Sequence, residues 1–256
     1  MTTDVELTIK DRVARVRFSS KNGVQLFSAS MRSQLNSILK QLDTETDCRV
    51  VVFEAEGRTF IAGADIHELR SLKFATGDQL ACEGQQLMNR IAALHAVTLV
   101  AIHAACAGGG CELALACDLR IAAKSAKIGL PEVTLGLIPG WGGMVRAVRL
   151  FGGAVARRMV LTGELFSADA AYRLGIVDAV TADDEFRTEV DRWVEQLLRT
   201  GPFASFAAKR LISDFEGPEI RAQLAQEAQA FSRCCAGEES TEGTRAFLEK
   251  RPPVWD

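Results

Sequence analysis

Two glutamates and three glycine-rich segments hold the residue types in this chain that can move protons around a polarised carbonyl. Glu112 sits in AGGGCELALACDLRIAA (107–123) and Glu132 in GLPEVTLGLIPGWGG (129–143); the third segment is FIAGADIHEL (60–69). None has a G-x-G-x-x-G after a strand or a Lys-Ser/Thr ending a phosphate loop, so none reads as a nucleotide motif. A strand ending at Ile102, then Gly108-Gly109-Gly110, then a helix beginning near Cys111 would expose backbone N–H groups at a helix N-terminus, where negative charge is stabilised. A thioester carbonyl that becomes an enolate needs such donors, and glycine lets the backbone approach closely. Taken alone, Glu112 is an ordinary first-turn carboxylate and Glu132, after Pro131, a solvated loop acid. A predicted strand separates them, so only the fold can bring them together.

Other reactive side chains read as structural. The histidines, His67, His95 and His103, have neither metal-ligand spacing nor a nucleophile partner, and there is no G-x-S-x-G elbow. Asp118 reads as a carboxylate capping a turn, and Trp141 as pocket wall or core. The seven cysteines are scattered without zinc or redox spacing. Cys106, Cys111 and Cys117 lie in an apolar Ala/Gly stretch, and adjacent Cys234 and Cys235 are poorly placed to bond each other. That usage points to packing thiols in a reducing cytoplasm.

The elements that must position the acids follow from hydrophobic periodicity. Val5–Ile9, Val13–Phe18, Val50–Glu54, Thr98–Ile102 and Leu119–Ala122 have strand length and composition. After Ser28, a cap, Met31, Leu35, Ile38, Leu39 and Leu42 mark one face of a helix; Leu80, Leu87, Met88, Ile91 and Leu94 mark the next. Strands alternating with helices imply an α/β architecture. From about residue 184 the pattern is helical only. Phe186, Val190, Trp193, Val194, Leu197 and Leu198 form a stripe, and two more helical stretches follow, with joins at Gly201-Pro202 and Gly217-Pro218. The chain divides into an α/β core over 1–184 and a helical region over 185–256, too thin for a large core of its own and expected to pack on the body or on another subunit.

Composition narrows the classes of function. The 256 residues are 48% hydrophobic and 25% charged, as in ordinary soluble domains. A net charge of −3 gives no basic field to draw in nucleic acid or an acidic membrane. No long uncharged apolar run suggests a membrane span, and the N-terminal stretch reads as two strands rather than a leader.

The three segments, in this order, resemble the signature of the enoyl-CoA hydratase/isomerase (crotonase) family: F-x-A-G-A-D-I-x-E, G-G-G-C-E-L-A-x-A-C-D, and P-E-V-x-L-G-x-I-P-G-x-G-G. LTGELFSADAAYRLGIVDAV (161–180) and AFLEKRPPVWD (246–256) are similar to later blocks. The resemblance implies a spiral of ββα units with a C-terminal helical oligomerisation region that joins a homotrimer, often paired into a hexamer. It implies that Ala64 and Gly109 N–H groups form an oxyanion hole and that Glu112 and Glu132 are the catalytic acids. Ala62, Asp65 and Ile66 match positions along the CoA path; Phe247 and Lys250 match tail positions that contact CoA, in many members from a neighbouring subunit. The implied reaction is hydration of a trans-2-enoyl-CoA, with coenzyme A entering as part of the substrate and no separate cofactor. A Δ3–Δ2 enoyl-CoA isomerase needs one carboxylate only, so two favour hydration; the acid pair and acidic charge stand against a silent CoA-thioester or RNA-binding homologue. The chain departs from the family pattern at QLFS (25–28), His103-Ala104, Trp141 and GGMVR (142–146), which leaves the acyl group undefined.

Overall fold

Alternation in Val13–Ser19 sends Ala14, Val16 and Phe18 to one side, where all three are fully buried. This strand, β2, pairs antiparallel with β1 (Asp4–Lys10) and leads into α1 (Ala29–Leu42). Ser28 caps α1 through a bond from the Met31 N–H, and Met31, Leu35, Ile38, Leu39 and Leu42 are buried along it, as the spacing predicts. The computed structural model describes residues 2–215 and 220–254.

The chain then repeats one unit: a long strand, a short strand, a helix. The first round is β3 (Val50–Ala55), β4 (Thr59–Ile61), α2 (Ile66–Leu69) and α3 (Phe74–Ala93). The second is β5 (Val97–Ile102), β6 (Ala105–Ala107) and α4 (Gly109–Ala116). The third is β7 (Leu119–Ala123), β8 (Lys127–Gly129), a 3₁₀ turn (Glu132–Leu135) and α5 (Gly143–Leu161). Long strands pair in parallel in one sheet, ordered β2-β3-β5-β7, and short strands in a second, ordered β4-β6-β8. Each round thus adds one strand to each sheet, which is the expected ββα spiral. After it, β9 (Phe166–Ser167) joins β8, and β10 (Ala179–Thr181), beyond α6 (Ala168–Arg173), joins β7. Periodicity alone did not show the short strands: three-residue runs such as Ala105–Ala107 are too brief for it, so β6 stands where a plain link into the glycine run was read.

Among the described residues the C-terminal part holds four helices rather than the three expected: α7 (Phe186–Leu198), α8 (Pro202–Phe215), α9 (Ile220–Cys235) and α10 (Glu238–Glu249). The chain turns at Ala236 and Gly237, dividing what periodicity joined; the Gly217-Pro218 join lies outside the described residues. The α7 stripe is covered by this chain's own large sheet, with Val190 and Val194 packed among Val50, Val52, Leu99 and Ile121. Asp118 proves structural: its Oδ2 accepts from the Thr98 N–H and hydroxyl and from Lys209 Nζ of α8 at 2.7–2.8 Å. Helix α9 lies against α3 and α5, and α10 against the 3₁₀ turn. The cysteines are free; Cys106, Cys111 and Cys117 are buried as expected, whereas Cys82 is exposed. Among the described residues no helix is long and apolar enough to cross a membrane.

Candidate active site

The three glycine-rich segments meet where the short strands end. Gly108, between β6 and α4, has φ +52° and ψ −126°, a conformation open to glycine and strained for other residues. A Cβ there would lie 3.2 Å from Glu132 Oε1 and 3.6 Å from Gly63 Cα, so one point touches all three segments. Gly110 fits α4 onto β4 so closely that a Cβ would come within 2.4 Å of the Ile61 carbonyl oxygen. Around this point opens a cavity of about 630 Å³. A second depression, about 1060 Å³, lies between Arg233, Glu242 and Arg251 and contains neither acid.

Ala62, Ala64, Asp65, Ile66, Gly109, Glu112, Glu132 and Phe247 all line the 630 Å³ cavity. Lys250 does not; it ends α10 on the surface, in the left-handed region at φ +55°. Phe247 and its neighbour Leu248 reach the cavity from this same chain. Ala64 and Gly109 both line the cavity, and each has a backbone N–H. Gly109 is the first residue of α4, so its N–H has no intrahelical acceptor, and neither N–H finds an acceptor among the described residues. Paired donors of this kind can hold an oxyanion.

Glu112 is 3% exposed in the first turn of α4. Its Oε1 accepts from the Trp141 N–H at 2.7 Å and the Gly143 N–H at 2.9 Å. Burial pushes its pKa well up, the charges of Glu132 and Glu227 push it further, and the two N–H donors oppose them. The donors hold the carboxyl in place and offset part of the cost of burying it. Glu132 opens the 3₁₀ turn and differs: its Oε2 is buried with no hydrogen-bond partner. Burial raises its pKa to about 8, so it keeps its proton at neutral pH. The two acids therefore share a cavity and a raised pKa but differ in their bonds, one carboxyl accepting from two N–H donors and the other holding a buried, unpartnered oxygen.

One contributor, Glu227 of α9, escaped the sequence reading, and Trp141, read as pocket wall or core, is both. Trp141 is a cavity wall and is also buried, its indole seated against Gly84 of α3 and Gly109, where a Cβ would come within 2.1 and 2.6 Å of the ring. Phe27 meets it edge-on at 5.1 Å between centroids. Glu227 of α9 is 4% exposed and accepts from the N–H groups of Gly142, Met144 and Val145 at 2.5, 3.1 and 3.2 Å. Its signal was present: Leu224, Ala228, Phe231 and Cys235 are the buried stripe of α9, and Glu227 is an acid on that stripe.

The family model described as enoyl-CoA hydratase/isomerase matches residues 8–256. A probable enoyl-CoA hydratase of Bacillus subtilis is 38% identical over 228 residues, 88% of each chain. The crotonyl-CoA hydratase of Syntrophomonas wolfei is 36% identical across 79% of this chain and 78% of its own. Among solved structures, an enoyl-CoA hydratase from Mycobacterium avium subsp. paratuberculosis superposes with a TM-score of 0.89 at 26% identity, covering 98% of both chains. The chain belongs to the enoyl-CoA hydratase/isomerase family and has the crotonase fold.

Proposed function

We propose that this protein hydrates trans-2-enoyl-CoA thioesters to 3-hydroxyacyl-CoA thioesters. The observation that carries the reading is the unlike pair of glutamates beside two unbonded N–H groups in one cavity. The Ala64 and Gly109 N–H groups polarise the thioester carbonyl and hold the enolate-like charge. Glu112, oriented by its two N–H donors, acts in its ionised form and takes a proton from water as the oxygen attacks C3. Glu132 gives its proton to C2. One group takes and one gives around a single water, so atoms and charge balance without a separate cofactor. Ala62, Asp65, Ile66 and Phe247 line the CoA path, and Lys250 meets CoA from the surface.

Loss of the enone absorbance when the protein is mixed with crotonyl-CoA is the direct test. Activity on a 3-enoyl-CoA with none on crotonyl-CoA would replace hydration by isomerisation. Binding without turnover of either would leave a silent binder.

The 185–256 helices are also proposed to join a homotrimer, or a hexamer of paired trimers, in the cytoplasm. The support is on α8, where Phe203 is 82% exposed and Leu211 and Ile212 are more than half exposed. The expected light-scattering mass at micromolar concentration is three or six times the 27.8 kDa chain. A mass of one chain would remove the oligomer.

A further inference from the structure

The turn from Gly140 to Arg146 carries five consecutive N–H groups, and two buried carboxylates divide them. Glu112, from α4, takes those of Trp141 and Gly143; Glu227, from α9, takes those of Gly142, Met144 and Val145. From Trp141 to Met144 the two carboxylates alternate, across a Gly142 that sits in the left-handed region at φ +95°. We propose that Glu227 is a positioning residue for the reaction, holding this turn from behind so that the Trp141 and Gly143 N–H groups stay aimed at Glu112. The proposal rests on the reading of Glu112 as the base.

Physical chemistry supports a role beyond filling space. A carboxylate buried without compensation is costly, and a well-packed apolar residue of the same size serves a core at least as well. Here the compensation is three N–H donors, and all three belong to the turn that serves Glu112. The charged groups facing Glu227 are Arg146 of α5, Glu112 of α4 and Glu132 of the 3₁₀ turn. Arg146 braces the same turn by donating to the Trp141 carbonyl at 3.1 Å, and it reaches Asn89 of α3 at 2.7 Å. Gln85 of α3 donates both to the Gly140 carbonyl at 3.1 Å and to the Leu224 carbonyl of α9 at 2.8 Å, tying the start of the turn to the helix that carries Glu227. Glu227 itself is not a cavity wall, so it acts only through the turn.

The test is a double-mutant cycle with Glu227→Gln and Glu112→Gln, read as kcat and KM on crotonyl-CoA, with butyryl-CoA binding measured separately. Gln keeps the shape of Glu227 but presents an amide N–H₂ to one side of the turn, where an acceptor is required. In the parent background kcat should fall on the order of 10–100-fold, as for other residues that orient a reacting ligand, with KM and butyryl-CoA affinity within about threefold. In the Glu112→Gln background the same change should cost almost nothing further, because there is no base left to aim. A residue with a general structural role would cost the same in both backgrounds, which would overturn the proposal. Full activity of Glu227→Gln in an active parent would also overturn it, alone. Loss of butyryl-CoA binding in both Glu227→Gln and Glu227→Asp would make Glu227 a folding residue and end the proposal. A parent that binds butyryl-CoA but does not hydrate crotonyl-CoA would remove the hydratase reading and this proposal together.

Discussion

Glu132→Gln should lower turnover on crotonyl-CoA by roughly 10²–10⁴, the range typical of losing a general acid, while thioester affinity barely changes. The amide matches the carboxyl in size but has no proton to give C2. Two pH measurements sharpen the expectation. Burial raises the Glu132 pKa to about 8, so the parent should lose turnover as pH rises through about 8, and the variant's residual rate should lack that limb. The stability linkage has a definite sign. In the unfolded chain Glu132 ionises near its ordinary 4.5, whereas in the folded protein it holds its proton to about 8. The folded state binds the extra proton in that window, so this group's stabilisation is complete below 4.5 and is lost as pH climbs to about 8. The melting temperature of Glu132→Gln should fall less than the parent's between those limits. Equal pH slopes together with undiminished turnover would take Glu132 out of the mechanism.

Glu112→Gln should be as damaging to hydration, again by roughly 10²–10⁴, because water loses its base. The amide oxygen can still accept from the Trp141 and Gly143 N–H groups, so the turn should hold and crotonyl-CoA should still bind. Assaying both variants on a 3-enoyl-CoA separates the chemistries. A double-bond shift needs one carboxylate, so isomerisation predicts that one variant keeps most of its activity; hydration predicts that both fail. Undiminished hydration in Glu112→Gln would end its assignment as base.

The sequence showed the parts of this site that are local and left out those that are assembled. Gly108-Gly109-Gly110 before a helix announces exposed N–H groups whatever the rest of the fold does, and Gly109 stands where that reading placed it. Glu112 and Glu132 were legible as candidates only; their meeting depends on β7 and β8 running between them, which periodicity showed for β7 alone. The short strands β4, β6 and β8 were invisible because two or three residues carry no alternation. Asp118 was read correctly from its neighbourhood, but its partner Lys209 lies far along the chain. Glu227 was missed although an acid interrupts an apolar helical stripe there; such an acid reads as a break in the pattern until the opposing N–H groups are known. The α7 stripe was read as a surface in need of cover, and the cover is this chain's own sheet.

The division of one turn between Glu112 and Glu227 also sets an order in time. Both cavity acids leave the ribosome well before α9 is made. The glycines, both sheets, α1 and α3 all precede α9 in the chain, as do the N–H groups of Gly142, Met144 and Val145. Only when α9 docks against α3 and α5 does the turn gain its second carboxylate. A chain halted before residue 220 would carry Glu112, Glu132, Ala64 and Gly109 but not Glu227. On the proposal made above for Glu227, the group that steadies this turn is thus supplied by one of the last-made helices of the chain.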